Sequence, residues 1–153
     1  MKKILIVAAA IMMVSALGGI ALAGGTTTVN VSANIVGTCQ FSTTPTLAFG
    51  PLDQTSSSDA TATGTLSFWC TNGAPYILSD SANPGVGDGS YSGTISNGTD
   101  NITYSIGYDS YNGNGDGKSF PISSTLNATI LNTDYIDATA GAYAGTVQFT
   151  IAP

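Results

Sequence analysis

Histidine, arginine and glutamate are all absent from this chain, and lysine occurs only at positions 2, 3 and 118. Without histidine, neither a Ser–His triad nor a Cys–His pair can be assembled. Without arginine, there is no planar guanidinium to clamp a carboxylate or a phosphate. Charge of either sign is scarce, at 8% of residues, and it comes mainly from nine aspartates. Two carboxylates could in principle serve glycosidase chemistry. These aspartates, however, sit mostly in Gly/Asn/Ser-rich stretches, where Asp is the ordinary turn residue. The sequence therefore reads as non-enzymatic and without a cofactor.

A targeting segment opens the chain. Lys2 and Lys3 form a basic start, residues 4–17 are apolar, and Ala21-Leu22-Ala23 is a small-residue cleavage site. Residues 1–23 are thus expected to be a signal peptide, with Gly24 as the first residue after cleavage. No second hydrophobic run of spanning length follows, so no membrane span is expected after cleavage. Removal of Lys2 and Lys3 leaves Lys118 alone against nine Asp, a net charge of −8. So acidic a protein repels nucleic-acid backbones and anionic membranes.

Cysteine is limited to Cys39 and Cys70. In an oxidising compartment an isolated pair implies one disulfide. It would close a loop of about 30 residues, a constraint of roughly 3–4 kcal/mol by the chain-entropy estimate. Metal ligation is not expected, because the spacing is not that of a metal-binding pair and no His can assist. Asn112-x-Asn114-x-Asp116-Gly117 echoes the start of a calcium loop, but Ser123 stands where the bidentate acid should be. It reads as a glycine-rich hairpin tip.

What the sequence does contain is period-2 alternation. Val29, Val31, Ala33 and Ile35 alternate with Thr28, Asn30, Ser32 and Asn34. The same pattern runs through Ala62, Gly64, Leu66, Phe68 and Cys70, then Ile102, Tyr104, Ile106 and Tyr108, then Tyr143, Gly145, Val147, Phe149 and Ile151. Shorter candidate strands cover 46–49, 75–79, 91–95 and 126–131. Each run has one apolar face and one Thr/Ser/Asn face, as half-buried antiparallel strands do. Turn clusters at 71–75, 83–89 and 112–117 separate them. No helical apolar stripe follows residue 23, so the fold class is all-β, a sandwich or barrel in one domain.

Other features read as structural. Four Asn-x-Ser/Thr sequons, at Asn30, Asn97, Asn101 and Asn127, are expected by chance in a chain so rich in Asn and Thr. Tyr104, Tyr108 and Tyr143 lie in the apolar phase of their strands and are assigned to the core. Trp69 lies in the polar phase, on the outside of a sheet. Tyr91, Tyr111 and Tyr135, near turns, are candidates for exposed positions and leave a carbohydrate-binding role open.

The order of elements resembles a known family. It runs from Gly37-Thr38-Cys39 through Leu47-Ala48-Phe49-Gly50 to Cys70-Thr71-Asn72-Gly73-Ala74-Pro75-Tyr76. Ile102-Thr103-Tyr104-Ser105-Ile106 follows, then Gly141-Ala142-Tyr143-Ala144-Gly145-Thr146-Val147. These elements resemble the spore coat protein U family, which includes subunits of archaic, Csu-type chaperone–usher pili. The sequence departs from the family pattern in having no mid-chain Arg, Gly145 where an Asp is common, and no Tyr at its end.

The resemblance implies an immunoglobulin-like antiparallel β-sandwich that is incomplete and is completed by a donor strand from a neighbouring subunit. It divides the chain into a donor extension over 24–36 and a pilin-like domain over 37–153. Val29, Val31, Ala33 and Ile35 would be the polymerisation donor residues, or else the first strand of a complete domain. The last predicted strand, ending at Ile151, would have an uncovered edge. Implied partners are identical or homologous pilin subunits, a periplasmic chaperone and an outer-membrane usher. The implied location is the periplasm in transit and then an extracellular fibre (pilus). The alternative is a secreted carbohydrate-binding or adhesin module, or a surface or spore coat protein of the same fold.

Overall fold

A computed structural model describes residues 24–153; the expected signal peptide, residues 1–23, lies outside the described residues. The chain divides into two units, at Asn34/Ile35. In the first, residues 24–34 form no helix or strand, and every one of them is exposed.

The second unit carries eight strands and one helical turn: β1 (Cys39–Phe41), β2 (Ala60–Cys70), β3 (Pro75–Asp80), β4 (Ser90–Ser96), β5 (Asn101–Tyr108), β6 (Asn112–Asn114), β7 (Ile122–Ile130), α1 (Asn132–Tyr135) and β8 (Phe149–Ala152). A five-stranded sheet runs β1-β2-β7-β5-β4 and a three-stranded sheet runs β6-β3-β8. All pairings are antiparallel. The fold is an all-β sandwich of immunoglobulin-like type. No described helix is long and apolar enough to cross a membrane.

The alternation in the sequence sets the two faces. In β5, Ile102, Tyr104, Ile106 and Tyr108 are buried and their neighbours exposed. In β2, Ala62, Leu66, Phe68 and Cys70 point inward. A one-residue slip would turn either set to solvent, so burial of one face fixes the register. The two sheets meet through Phe68 on Tyr76, with centroids 5.1 Å apart, and Tyr108 on Phe149, at 5.3 Å, both edge-to-face. The buried carboxylate of Asp80 is fully engaged: it accepts from the Tyr108 hydroxyl at 3.0 Å and from the Ala82 and Asn83 amides at 2.8 and 3.2 Å. Burial, reinforced by the hydrogen bond to Asp80, raises the Tyr108 hydroxyl above its usual range.

Several expectations change. The strand expected over residues 143–151 is confined to Phe149–Ala152; before it, only Ala144 makes an isolated bridge, to Ser96. Residues 46–49 are extended but unpaired. The calcium-like segment is β6, whose Asn112, Gly113 and Asn114 pair with Ile77, Tyr76 and Pro75. Tyr135 is buried, because α1 turns its ring inward and its hydroxyl donates to the Ser58 carbonyl at 2.7 Å. Trp69 is half-buried on the outside of β2, with the Lys118 ammonium 5.7 Å from its ring centroid.

Candidate functional site

The inner face of the five-stranded sheet is buried, with Leu66, Ile102, Tyr104, Ile106 and Leu126 each 6% exposed or less, yet a hollow runs along it between two flanking segments. A groove of about 1290 Å³ lies over it, with Leu66, Ile95, Ile102, Tyr104, Ile106 and Leu126 as its floor. Residues 43–55 form one wall and residues 138–147 the other.

Both walls are largely irregular chain, outside the regular strands. In the first, Pro45, Leu47, Phe49 and Leu52 are half-buried, while Thr46, Ala48 and Gly50 are exposed. Gly64 lets this wall lie close, since a Cβ there would stand 3.0 Å from Leu47 Cδ2. In the second, Tyr143 and Val147 turn inward. Ala144 exchanges backbone hydrogen bonds with Ser96, at 2.9 and 3.0 Å. Gly145 rests on β4, where a Cβ would meet the Thr94 carbonyl oxygen at 2.8 Å.

Among the described residues, neither 44–52 nor 145–148 makes a backbone–backbone hydrogen bond outside the regular strands. Two rows of amide and carbonyl groups thus flank an apolar floor. An edge of this kind is a template for a further strand. Pro45 and Pro51 bring no amide to the first row and Gly50 has a left-handed φ of 71°, so its uninterrupted part is residues 46–49, roughly 13 Å at about 3.3 Å per residue.

Side-chain hydrogen bonds hold the walls in place. The Gln54 amide donates to the Ala138 carbonyl at 2.7 Å and the Tyr135 carbonyl at 3.2 Å, joining the walls at one end. The Asp100 carboxylate, on the β4–β5 turn, accepts from the amide and the hydroxyl of Thr139, each at 3.1 Å, and from the Asn101 amide at 2.9 Å. The Thr139 amide above all, with the Asn101 amide, holds this carboxyl below the usual carboxylate range. Tyr143 donates to the Thr139 carbonyl at 2.8 Å, which stiffens the same segment.

The groove is almost free of charge. Asp53 is the one ionisable carboxyl in its lining, and Thr55, through its hydroxyl and then its amide, lowers the pKa of that group. On the floor, burial pushes the Tyr104 hydroxyl up to about 12, with Tyr91 adding to the effect. With an apolar floor, little charge, and unpaired backbone along 44–52 and 145–148, the groove is suited to an extended apolar segment.

Of the residues singled out from sequence, Val29, Val31 and Ile35 are 76, 89 and 82% exposed, and Ala33 is exposed as well. Val36, which sequence reasoning left out, is also exposed. Cys39 and Cys70 form a disulfide between directly paired positions of β1 and β2. Gln54 and Asp100 were missed, because a polar residue in a turn-rich stretch gives no sign of which segment it will tie down. Among the described residues, no group of three Asp or Cys side chains is placed to hold a metal.

Comparison with known families finds that the Spore Coat Protein U domain matches residues 25–150. No curated protein matches the chain.

Proposed function

This chain belongs to the Spore Coat Protein U family, and on that premise we propose that it is a structural subunit of an extracellular fibre, polymerised by donor-strand exchange. The observation that carries this reading is the groove along whose walls residues 44–52 and 145–148 make no backbone–backbone hydrogen bond outside the regular strands. The N-terminal extension, residues 24–36, of one subunit adds a strand to the groove of the next. Val29, Val31, Ala33 and Ile35 face its floor, and Thr28, Asn30, Ser32 and Asn34 face water. Such β-augmentation takes its affinity from main-chain pairing and its specificity from alternate side chains.

The exposure of the donor side chains supports the reading. Burying each large aliphatic among them is worth roughly 1.5–3 kcal/mol. The other parts follow from the same need. A signal peptide over 1–23 exports the chain, a periplasmic chaperone shields the groove, and an outer-membrane usher exchanges the chaperone for the next subunit. The protein has no catalytic role.

The test uses a shortened chain starting at Gly37 and a synthetic peptide of residues 26–36. The peptide is expected to bind one-to-one and to raise the melting temperature sharply, because binding to the native state alone stabilises it. A shortened chain whose melt ignores the peptide ends this proposal.

A further inference from the structure

The outward face of the five-stranded sheet holds a second, smaller hollow of about 190 Å³, lined by Ser92, Thr103, Ser105, Thr129, Leu131 and Asp134 among others. Strand register explains the hydroxyls. Ser92 pairs with Ser105, and Ser105 with Thr129, so three hydroxyl-bearing residues lie in one row across β4, β5 and β7. Neighbouring strands place them about 4.8 Å apart. Thr103 stands one step further along β5. Beyond the end of β7, Leu131 and Asp134 of α1 form the rim, and the Leu131 side chain is half exposed.

Asp134 is unlike the other aspartates. Six carboxylates are occupied by donors within the protein: Asp53 by Thr55, Asp59 by Asn132, Asp80 by Ala82, Asp88 by Ser90, Asp100 by Thr139 and Asp109 by Thr125. Asp116 and Asp137 are exposed to water. Asp134 is half-buried, lines a concave surface, and takes no hydrogen bond from the described residues.

From these features we infer that the hollow is a binding site for a single neutral sugar ring. A carboxylate accepts from two adjacent sugar hydroxyls, and the Ser and Thr hydroxyls can donate or accept as the ring requires. Leu131 supplies an apolar edge for the C–H face of the ring. An anion does not fit, since the hollow contains no cation and the chain beyond residue 23 has a net charge of −8. The volume lies below the roughly 300–1,000 Å³ of sites for larger organic ligands, which limits the ligand to one ring or the terminal unit of a glycan. The site lies on the face of the sheet opposite the groove and does not rest on the fibre proposal.

The test is saturation-transfer NMR on the purified protein with glucose, galactose, mannose and N-acetylglucosamine, each alone. At least one sugar is expected to receive saturation, with affinity in the millimolar range. Asp134→Asn and, separately, Ser105→Val should abolish the transfer while leaving the melting temperature unchanged. Transfer to none of the four sugars overturns the inference. So does transfer that persists in either variant.

Discussion

A Cβ at position 115 would lie 2.5 Å from the carbonyl oxygen of Thr71 and 2.6 Å from both the Cβ and the carbonyl oxygen of Cys70. Gly115 is buried, its amide donates to the Ala74 carbonyl, and its carbonyl accepts from the Gly73 amide, both at 2.8 Å. These contacts fasten the end of β6 to the disulfide-bearing end of β2. None of the atoms in the way is the tip of a flexible side chain, so the backbone must move to admit a methyl group. Gly115→Ala is expected to cost about 1–3 kcal/mol, read in a thermal melt as a fall of about 5–15 °C. Gly107→Ala is the control: it lies on the exposed face of β5, its nearest contact is the Asn127 carbonyl oxygen at 4.0 Å, and its melt should hardly change.

Among the elements, the 138–147 wall of the groove is held in part by one charge. The folded-state pKa of Asp100 is lowered from the ordinary 3.8, chiefly by the Thr139 amide. A lowered carboxyl contributes stability that is present above the unfolded pKa and is lost as the pH falls through the folded pKa. The wall should therefore be firm at neutral pH and loosen in acid below the ordinary carboxylate range. Amide hydrogen exchange at Thr139 reads this directly. Exchange, corrected for its intrinsic pH dependence, should accelerate as Asp100 protonates. In Asp100→Asn the acid-dependent step should be absent, because the amide oxygen that replaces the carboxylate accepts without titrating. Protection at Thr139 that does not change in the wild-type chain between neutral pH and acid would show that the wall is held by other contacts.

The same elements show how far the sequence could be read. β2 and β5 were legible because each buries one face and leaves the other in water, so the pattern of residues repeats the pattern of burial. The walls were misassigned for the same reason. Pro45, Leu47 and Phe49, like Tyr143 and Val147, alternate because one side of an extended chain touches the core. Alternation records burial, and it is silent on whether the backbone has a hydrogen-bonded neighbour. A paired strand and an open groove wall therefore look alike in sequence. Tyr135 was misplaced because a single helical turn has too few residues to show a period. The disulfide was legible because two cysteines leave one pairing.

At the scale of the whole molecule, charge and groove act on assembly in different ways. Nine aspartates against Lys118 make the chain beyond residue 23 an anion, so subunits of the proposed fibre would repel one another at long range at low salt. The proposed joint between subunits contains almost none of that charge. Its donors are Val29, Val31, Ala33 and Ile35, and its floor is Leu66, Ile95, Ile102, Tyr104, Ile106 and Leu126. Salt should then speed the encounter of subunits and leave the finished polymer nearly unaffected. Val31→Asp tests the joint itself. In a dry groove the new carboxylate would have no cation to pair with, since Lys118, the one base beyond residue 23, is outside the lining. Burying an unpaired charge costs several kcal/mol, enough to reduce polymer to subunits at ordinary concentrations. The Val31 side chain is 89% exposed, so the same change should leave the sandwich folded. Size-exclusion chromatography and electron microscopy should show fibres for the wild-type chain and none for Val31→Asp, with both giving the circular dichroism of a β-sheet protein. Addition of the 26–36 peptide should then fill the groove of the variant and raise its melting temperature. If Val31→Asp instead unfolds the domain, or if the wild-type chain remains a stable monomer that ignores the peptide, residues 28–35 serve their own domain and the fibre reading fails.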